Sequence, residues 1–238
     1  MISRKLSIIV ISTIALALLA SGMARANLVA NGGFELYSGT APKASVYSVQ
    51  PNDWTGGGYA FVDAAGTADD PYALGGPPVW PTFPTTSPQG GNFIQADGSS
   101  GLAYPLSQTI TGLTAGQSYT ISFYQAAGQQ LNDYGATTEQ WQVTLGSDVQ
   151  TSALMNDASM GVVPWQTQSL TLTADNTTDV LSFLAIGSGG VPPYVFLDGV
   201  DMESNVPEPS ALMLLAGVGT VMAIGRVGRR AMTKTSAA

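Results

Sequence analysis

The chain has no cysteine and no histidine, and its central stretch has almost no base. Without cysteine there are no disulfides and no thiolate to act as nucleophile or ligand. Without histidine there is no imidazole-ligated zinc and no Ser-His-Asp triad. Seven of the eight Lys and Arg residues sit near the ends, at Arg4, Lys5, Arg25, Arg226, Arg229, Arg230 and Lys234. Lys43 is the one base between positions 27 and 205, where fifteen of the sixteen acids also fall, so that span carries a formal charge of −14. A body this acidic repels phosphate backbones, which sets nucleic acid aside as a partner. Carboxylate chemistry remains: calcium held by oxygen ligands, or a glycosidase-like pair of acids. Acidity also serves simply to keep an exported protein in solution.

Long apolar runs are confined to the two ends. Residues 1–26 show the three zones of a secretory signal peptide: Arg4 and Lys5, then a mostly apolar run from 6 to 20, then Ala24-Arg25-Ala26. The small-x-small pattern at Ala24 and Ala26 is what a signal peptidase accepts, and cleavage there leaves Asn27 as the mature N-terminus. At the other end, Val206-Pro207-Glu208-Pro209-Ser210 precedes an apolar run that stops at Gly225. As a helix, residues 210–225 would span about 24 Å, slightly under a hydrocarbon core of about 30 Å. Arg226, Arg229 and Arg230 follow it as a basic stop, which orients the C-terminus to the cytoplasm and the body outside. Pro207 and Pro209 keep the preceding chain extended.

Motif, apolar segment and basic end, in that order, resemble the PEP-CTERM sorting signal of Gram-negative bacteria. The resemblance implies that an exosortase, a membrane-embedded cysteine protease, cuts near the motif and releases or transfers the body. A permanent single-pass membrane anchor is the alternative. The resulting domain plan is a signal peptide at 1–26, one domain at 27–205 and a sorting tail at 206–238.

Between the ends, short alternating runs recur among Gly, Asn, Asp and Pro clusters, with no helical period. Tyr119, Ile121 and Phe123 alternate with polar or outward residues, as do Trp141, Val143 and Leu145. The segment from Ala174 to Asp179 is a polar turn between two strands, and Leu113–Gln117 is another. About ten strands at this spacing predict an all-β antiparallel sandwich of two packed sheets, with a signal helix before it and a transmembrane helix after it.

Asn27-Leu28-Val29-Ala30-Asn31-Gly32-Gly33-Phe34-Glu35 resembles the opening strand of galactose-binding-like jelly rolls, a group that includes many carbohydrate-binding modules. Asp53-Trp54, Gly91-Asn92-Phe93-Ile94, Leu106-Ser107-Gln108-Thr109-Ile110 and Phe196-Leu197-Asp198-Gly199-Val200 follow in the matching order. The resemblance implies that Glu35 and Asp198 meet and hold a structural calcium with backbone carbonyls, with Asp201 and Glu203 as neighbouring acids. Two solvated surface carboxylates are the plainer reading.

Aromatic side chains are the usual platform for sugar rings. Trp80 lies in a Gly/Pro-rich loop from about 63 to 92, and Tyr134 in a second loop from 129 to 138; Tyr72 and Tyr194 are similar cases. A loop of the first length is functional or mobile, although Trp80 could equally strap it to the sheet. Trp54, Trp141 and Trp165 read as core. The acids show no catalytic pattern. Taken together, these features predict an exported, non-catalytic surface or matrix protein whose partners are signal peptidase, exosortase, the membrane and exopolysaccharide. A structural biofilm protein without a sugar ligand is the alternative, and a carboxylate-dependent glycan-active enzyme a third reading.

Overall fold

A computed structural model of the chain describes residues 27–38, 50–71 and 76–205. The expected signal segment, with Ala24 and Ala26, and the expected tail, from Val206 through its helix and arginines, lie outside the described residues, as does Tyr72. No helix among the described residues is long and apolar enough to cross a membrane.

Thirteen strands and no α-helix are found among the described residues: β1 (Tyr37–Ser38), β2 (Gln50–Pro51), β3 (Thr55–Gly58), β4 (Ala60–Asp63), β5 (Phe93–Asp97), β6 (Ala103–Thr111), β7 (Ser118–Gln129), β8 (Thr137–Leu145), β9 (Asp148–Thr151), β10 (Met155–Asp157), β11 (Val162–Thr173), β12 (Thr178–Gly189) and β13 (Pro193–Ser204). One sheet runs β11-β7-β13-β5-β4; the other runs β10-β8-β12-β6-β3, with β9 also paired to β8, and every pairing is antiparallel. A separate β1-β2 ribbon completes the set. This is the antiparallel sandwich that the alternation predicts, and Ala26–Asn205 forms a compact unit of its own.

A period of two places alternate side chains on opposite faces of a strand. Tyr119, Ile121 and Phe123 of β7 therefore point the same way as Ala127, towards Trp141, Val143 and Leu145 of β8 and Leu181, Phe183 and Ala185 of β12. Phe183 is the centre of this interior. Trp54, Phe123 and Trp141 meet its ring at centroid distances of 6.1, 5.2 and 6.1 Å, all edge-on. The two tryptophans also donate their indole N–H groups to backbone carbonyls, Trp54 to Asn31 at 3.1 Å and Trp141 to Phe196 at 3.0 Å. Their polar ends are satisfied, so they sit in the core at little cost.

The opening segment differs from expectation. Residues 27–35 are an irregular coil, because Asn31 and Phe34 take positive φ values of 49° and 57° that a strand cannot accommodate. The Asn31 side chain holds the bend, accepting from Leu36 N at 3.0 Å and donating to the carbonyls of Leu36 and Asn52. The coil still docks on the last strand through Leu28 N to Met202 O and Val200 N to Gly32 O, at 3.0 and 2.9 Å. Gly32 is required there, since a β-carbon would overlap the Val200 carbonyl.

The long Gly/Pro-rich connection between β4 and β5 is a strap over the outer face of the five-stranded sheet. Ala68, Val79 and Phe83 bury themselves against Phe93, Ala126, Tyr194 and Phe196, making a second apolar cluster. Trp165 is half-buried on the rim of this second cluster, with its indole N–H on Pro84 O at 2.8 Å. Tyr194 is also core, its hydroxyl donating to Gln130 Oε1 at 3.0 Å, and so is unavailable as a ligand platform.

Candidate functional site

Two groups of expected site residues are each brought together, at different places. The first lies at the end of the sandwich where β7 turns into β8. The strap runs alongside the β7 end there, with Trp80 N on Gln129 O at 3.2 Å and Leu131 N on Pro78 O at 2.7 Å, so Trp80 comes up against the 130–136 turn. Its indole N–H donates to Asp133 O at 3.3 Å. Its ring meets that of Tyr134 at a centroid distance of 5.6 Å and an interplanar angle of 63°. Trp80 is half-buried, whereas Tyr134 is 65 % exposed. The pair is a fixed aromatic corner with one free face.

Beside it, an open cavity of about 380 Å³ is lined by Thr137, Thr138, Asn156, Asp157 and Ser188, among others. Thr138 and Ser188 hydroxyls are hydrogen-bonded to each other at 2.7 Å. Gly135 N donates to Ser159 Oγ at 3.0 Å and ties the Tyr134 turn to the loop after β10. Hydroxyl and amide groups next to an aromatic corner suit a neutral, hydroxyl-rich ligand.

The second group joins Glu35 and Asp198. Asp198 is fully buried on the strap side of β13, where its carboxylate accepts from the Ser87 hydroxyl and, at 2.7 Å, from Gly199 N. Burial pushes its pKa up to about 7 against the lowering effect of those two hydrogen bonds, and the nearby Glu35 charge pushes it the same way. Glu35 is exposed and accepts from Asn92 N at 2.8 Å. Gln89 of the strap fits between Gly33 and Gly199, and Glu35 presses on Gly91; a β-carbon at any of these glycines would crowd or overlap those side chains. The opening coil, the strap and the last strand thus converge on a set of hard oxygens: two carboxylates, a hydroxyl and an amide. Among the described residues no three acids lie close enough to hold a metal by themselves. A cation here would draw its remaining ligands from neutral oxygens, which suits Ca²⁺.

Ser87, Gln89 and Asp133 escape sequence reasoning, since nothing in a Gly/Pro-rich loop marks where it lands. Glu139 does carry a signal. Glu139 stands in phase with Trp141, Val143 and Leu145, so extending that alternation by two residues places an acid in the interior.

Comparison with known proteins decides one end of the chain. Residues 205–230 match the PEP-CTERM protein-sorting motif. No curated protein matches the chain by sequence. Among solved structures, the chain is similar to TmCBM61 in complex with β-1,4-galactotriose, at 14 % identity and a TM-score of 0.42, covering 76 % of this chain and 99 % of that one. It is similar to the CBM22-1 xylan-binding domain from Paenibacillus barcinonensis Xyn10C at 16 % identity and a TM-score of 0.36, over 77 % and 97 % of the two chains. A CBM4 structure shows 19 % identity and a TM-score of 0.34 over 74 % and 99 %.

Proposed function

We propose that this chain is an exported, non-catalytic surface or matrix protein, delivered through its PEP-CTERM tail, whose sandwich binds extracellular polysaccharide. The sorting motif supports export and handling by an exosortase. In this reading a signal peptidase removes residues 1–26, the apolar tail holds the body at the membrane, and the exosortase acts near Val206, Pro207, Glu208 and Pro209. The basic residues Arg226, Arg229 and Arg230 keep the far end in the cytoplasm. The place of action is the cell surface or matrix of a Gram-negative bacterium.

The observation that carries the sugar-binding reading is the Trp80–Tyr134 corner. Trp80 is held by the strap and by Asp133, so little conformational freedom is lost when Tyr134 receives a pyranose ring. The adjoining hydroxyls and Asn156 offer partners to sugar hydroxyls. A non-catalytic role is supported by the placement of the neighbouring acids Glu139 and Asp157. They lie side by side on one face with their carboxylate oxygens buried, rather than opposing each other across a cleft as glycoside hydrolysis requires.

Glu35 and Asp198 are assigned to a structural Ca²⁺, with Ser87, Gln89 and backbone carbonyls as neutral partners. Bound there, the ion would neutralise the Asp198 charge and clamp the opening coil and the strap to β13.

The deciding experiment is retention of the protein on insoluble or arrayed bacterial polysaccharides. Retention of the parent and its loss in Tyr134→Ala support the proposal. A parent that is retained by no glycan overturns it in favour of a structural surface protein.

A further inference from the structure

The far end of the sandwich interior contains two acids with no base among the described residues to neutralise them. Glu139 on β8 and Asp157 on β10 are diagonal neighbours on one inward face, since Asp157 pairs with Thr137 and Glu139 with Met155. Glu139 is 0 % exposed and Asp157 3 %. All four carboxylate oxygens are buried without a hydrogen-bond partner.

Such burial is costly unless a charge or a set of donors compensates it. Among the described residues no charge compensates these acids and no donor completes a hydrogen bond to them. The described residues include no Lys, Arg or His. The Gln129 amide is fully engaged: its Nε2 donates to Thr137 Oγ1 and Ala158 O at 3.1 and 2.9 Å, and its Oε1 accepts from Met160 N at 2.9 Å. Gln125, inward-facing on β7 between Phe123 and Ala127, adds another buried oxygen without a donor, its Nε2 being spent on Ala153 O at 2.9 Å. Burial holds the Glu139 pKa up at about 8; the Thr137 hydroxyl, near but completing no hydrogen bond, offsets part of this, and the Asp157 charge adds to it. Asp157 is pushed up to about 6 by burial.

Gly161 packs so closely on Asp157 that a β-carbon there would overlap Oδ1, and the loop from Ala158 to Gly161 is fixed around it by Gln129 and by Gly161 N on Ala158 O at 2.7 Å. Thr137 and Asp157 also line the open cavity beside Tyr134, which provides an entry path.

We propose that Glu139 and Asp157 form a second cation site, taking a hard divalent ion, Ca²⁺, with neutral oxygens completing the shell. Two carboxylates and a partly open approach match the weak sites of extracellular modules, with Kd on the order of 0.1–1 mM. The site is separate from the Glu35–Asp198 clamp and does not depend on sugar binding.

The test uses the full-length protein purified in detergent. Terbium serves as the luminescent Ca²⁺ substitute, with Trp141, two residues from Glu139, as sensitiser. The emission titration is expected to show a component displaced by millimolar Ca²⁺ that persists in E35Q/D198N. That component should weaken at least tenfold in E139Q and in D157N, both near-isosteric changes that relieve buried charge. A titration unchanged in these two variants overturns the proposal. A measurement on the unaltered protein decides independently. Substoichiometric Mn²⁺ added to isotope-labelled parent should broaden the amide signals of Thr137, Glu139 and Asp157, and persistence of those signals while others vanish also overturns it.

Discussion

Trp80 and Tyr134 meet edge to face, with ring centroids 5.6 Å apart, although they belong to two loops remote from each other in the chain. The contact depends on the strap, which pairs Val79 with Gln130 and carries Trp80 against the β7–β8 turn. Tyr134 is the exposed partner and Trp80 the anchored one, so in the proposed reading Tyr134 receives the sugar and Trp80 supports it.

Removing them should therefore have different consequences. Tyr134→Ala is expected to reduce polysaccharide retention roughly five- to tenfold, about 1 kcal/mol of aromatic contact, with an unchanged melting temperature. Trp80→Ala should lose retention and also lower the melting temperature, because the strap loses its hold on Asp133. Affinity electrophoresis paired with thermal melts separates the two.

Asp63 makes stability depend on pH. It lies buried beneath the strap, accepts from Gly76 N at 2.6 Å through Oδ1, and has no partner for Oδ2. Burial raises its pKa to about 7, against the smaller lowering effect of the Gly76 bond. Between its unfolded value of 3.8 and about 7 the folded form holds a proton that the unfolded chain has released. Stability therefore falls as pH rises through that window, by at most about 1.4 kcal/mol per unit from this group. Urea midpoints should decline from pH 5 to pH 8, and Asp63→Asn should flatten the decline.

Calcium should stabilise the body through the Glu35–Asp198 clamp. At one hundred times Kd a bound ion contributes about 2.7 kcal/mol. Chelator should lower the parent's melting temperature, and the response should shrink in Glu35→Gln/Asp198→Asn. An undiminished response in that variant would rule the clamp out.

Phe183 is the residue whose loss should hurt the fold most. Three aromatic side chains touch its ring, and none can collapse into the gap without leaving the others. Phe183→Ala is expected to cost about 3–5 kcal/mol, read from chemical denaturation, while Tyr104→Ala on the surface should change little.

Much of this architecture is legible in the amino-acid order. The alternations at Tyr119–Phe123 and Trp141–Leu145 mark inward faces correctly, because a period of two leaves only one way to bury them. The turn at Ala174–Asp179 is equally plain: Asp179 caps it, accepting from Asp175 N and Asn176 N at 2.8 and 3.1 Å. The irregular course of residues 27–35 is not plain, since its apolar-turn-apolar pattern suits a strand until Asn31 and Phe34 turn left-handed. The strap's landing place is also hidden, because Pro and Gly punctuate a chain without saying which sheet face it will cover.

The primary structure alone determined the sandwich class, the acidity of the body and the PEP-CTERM motif, since periodicity, charge and short linear motifs are properties of neighbours along the chain. Only the tertiary structure decided that Trp80 touches Tyr134, that Ser87 reaches Asp198, and that Glu139 and Asp157 share one unpaired interior corner. Those contacts join residues brought together by sheet pairing and loop docking, and no local pattern encodes where two distant loops will close.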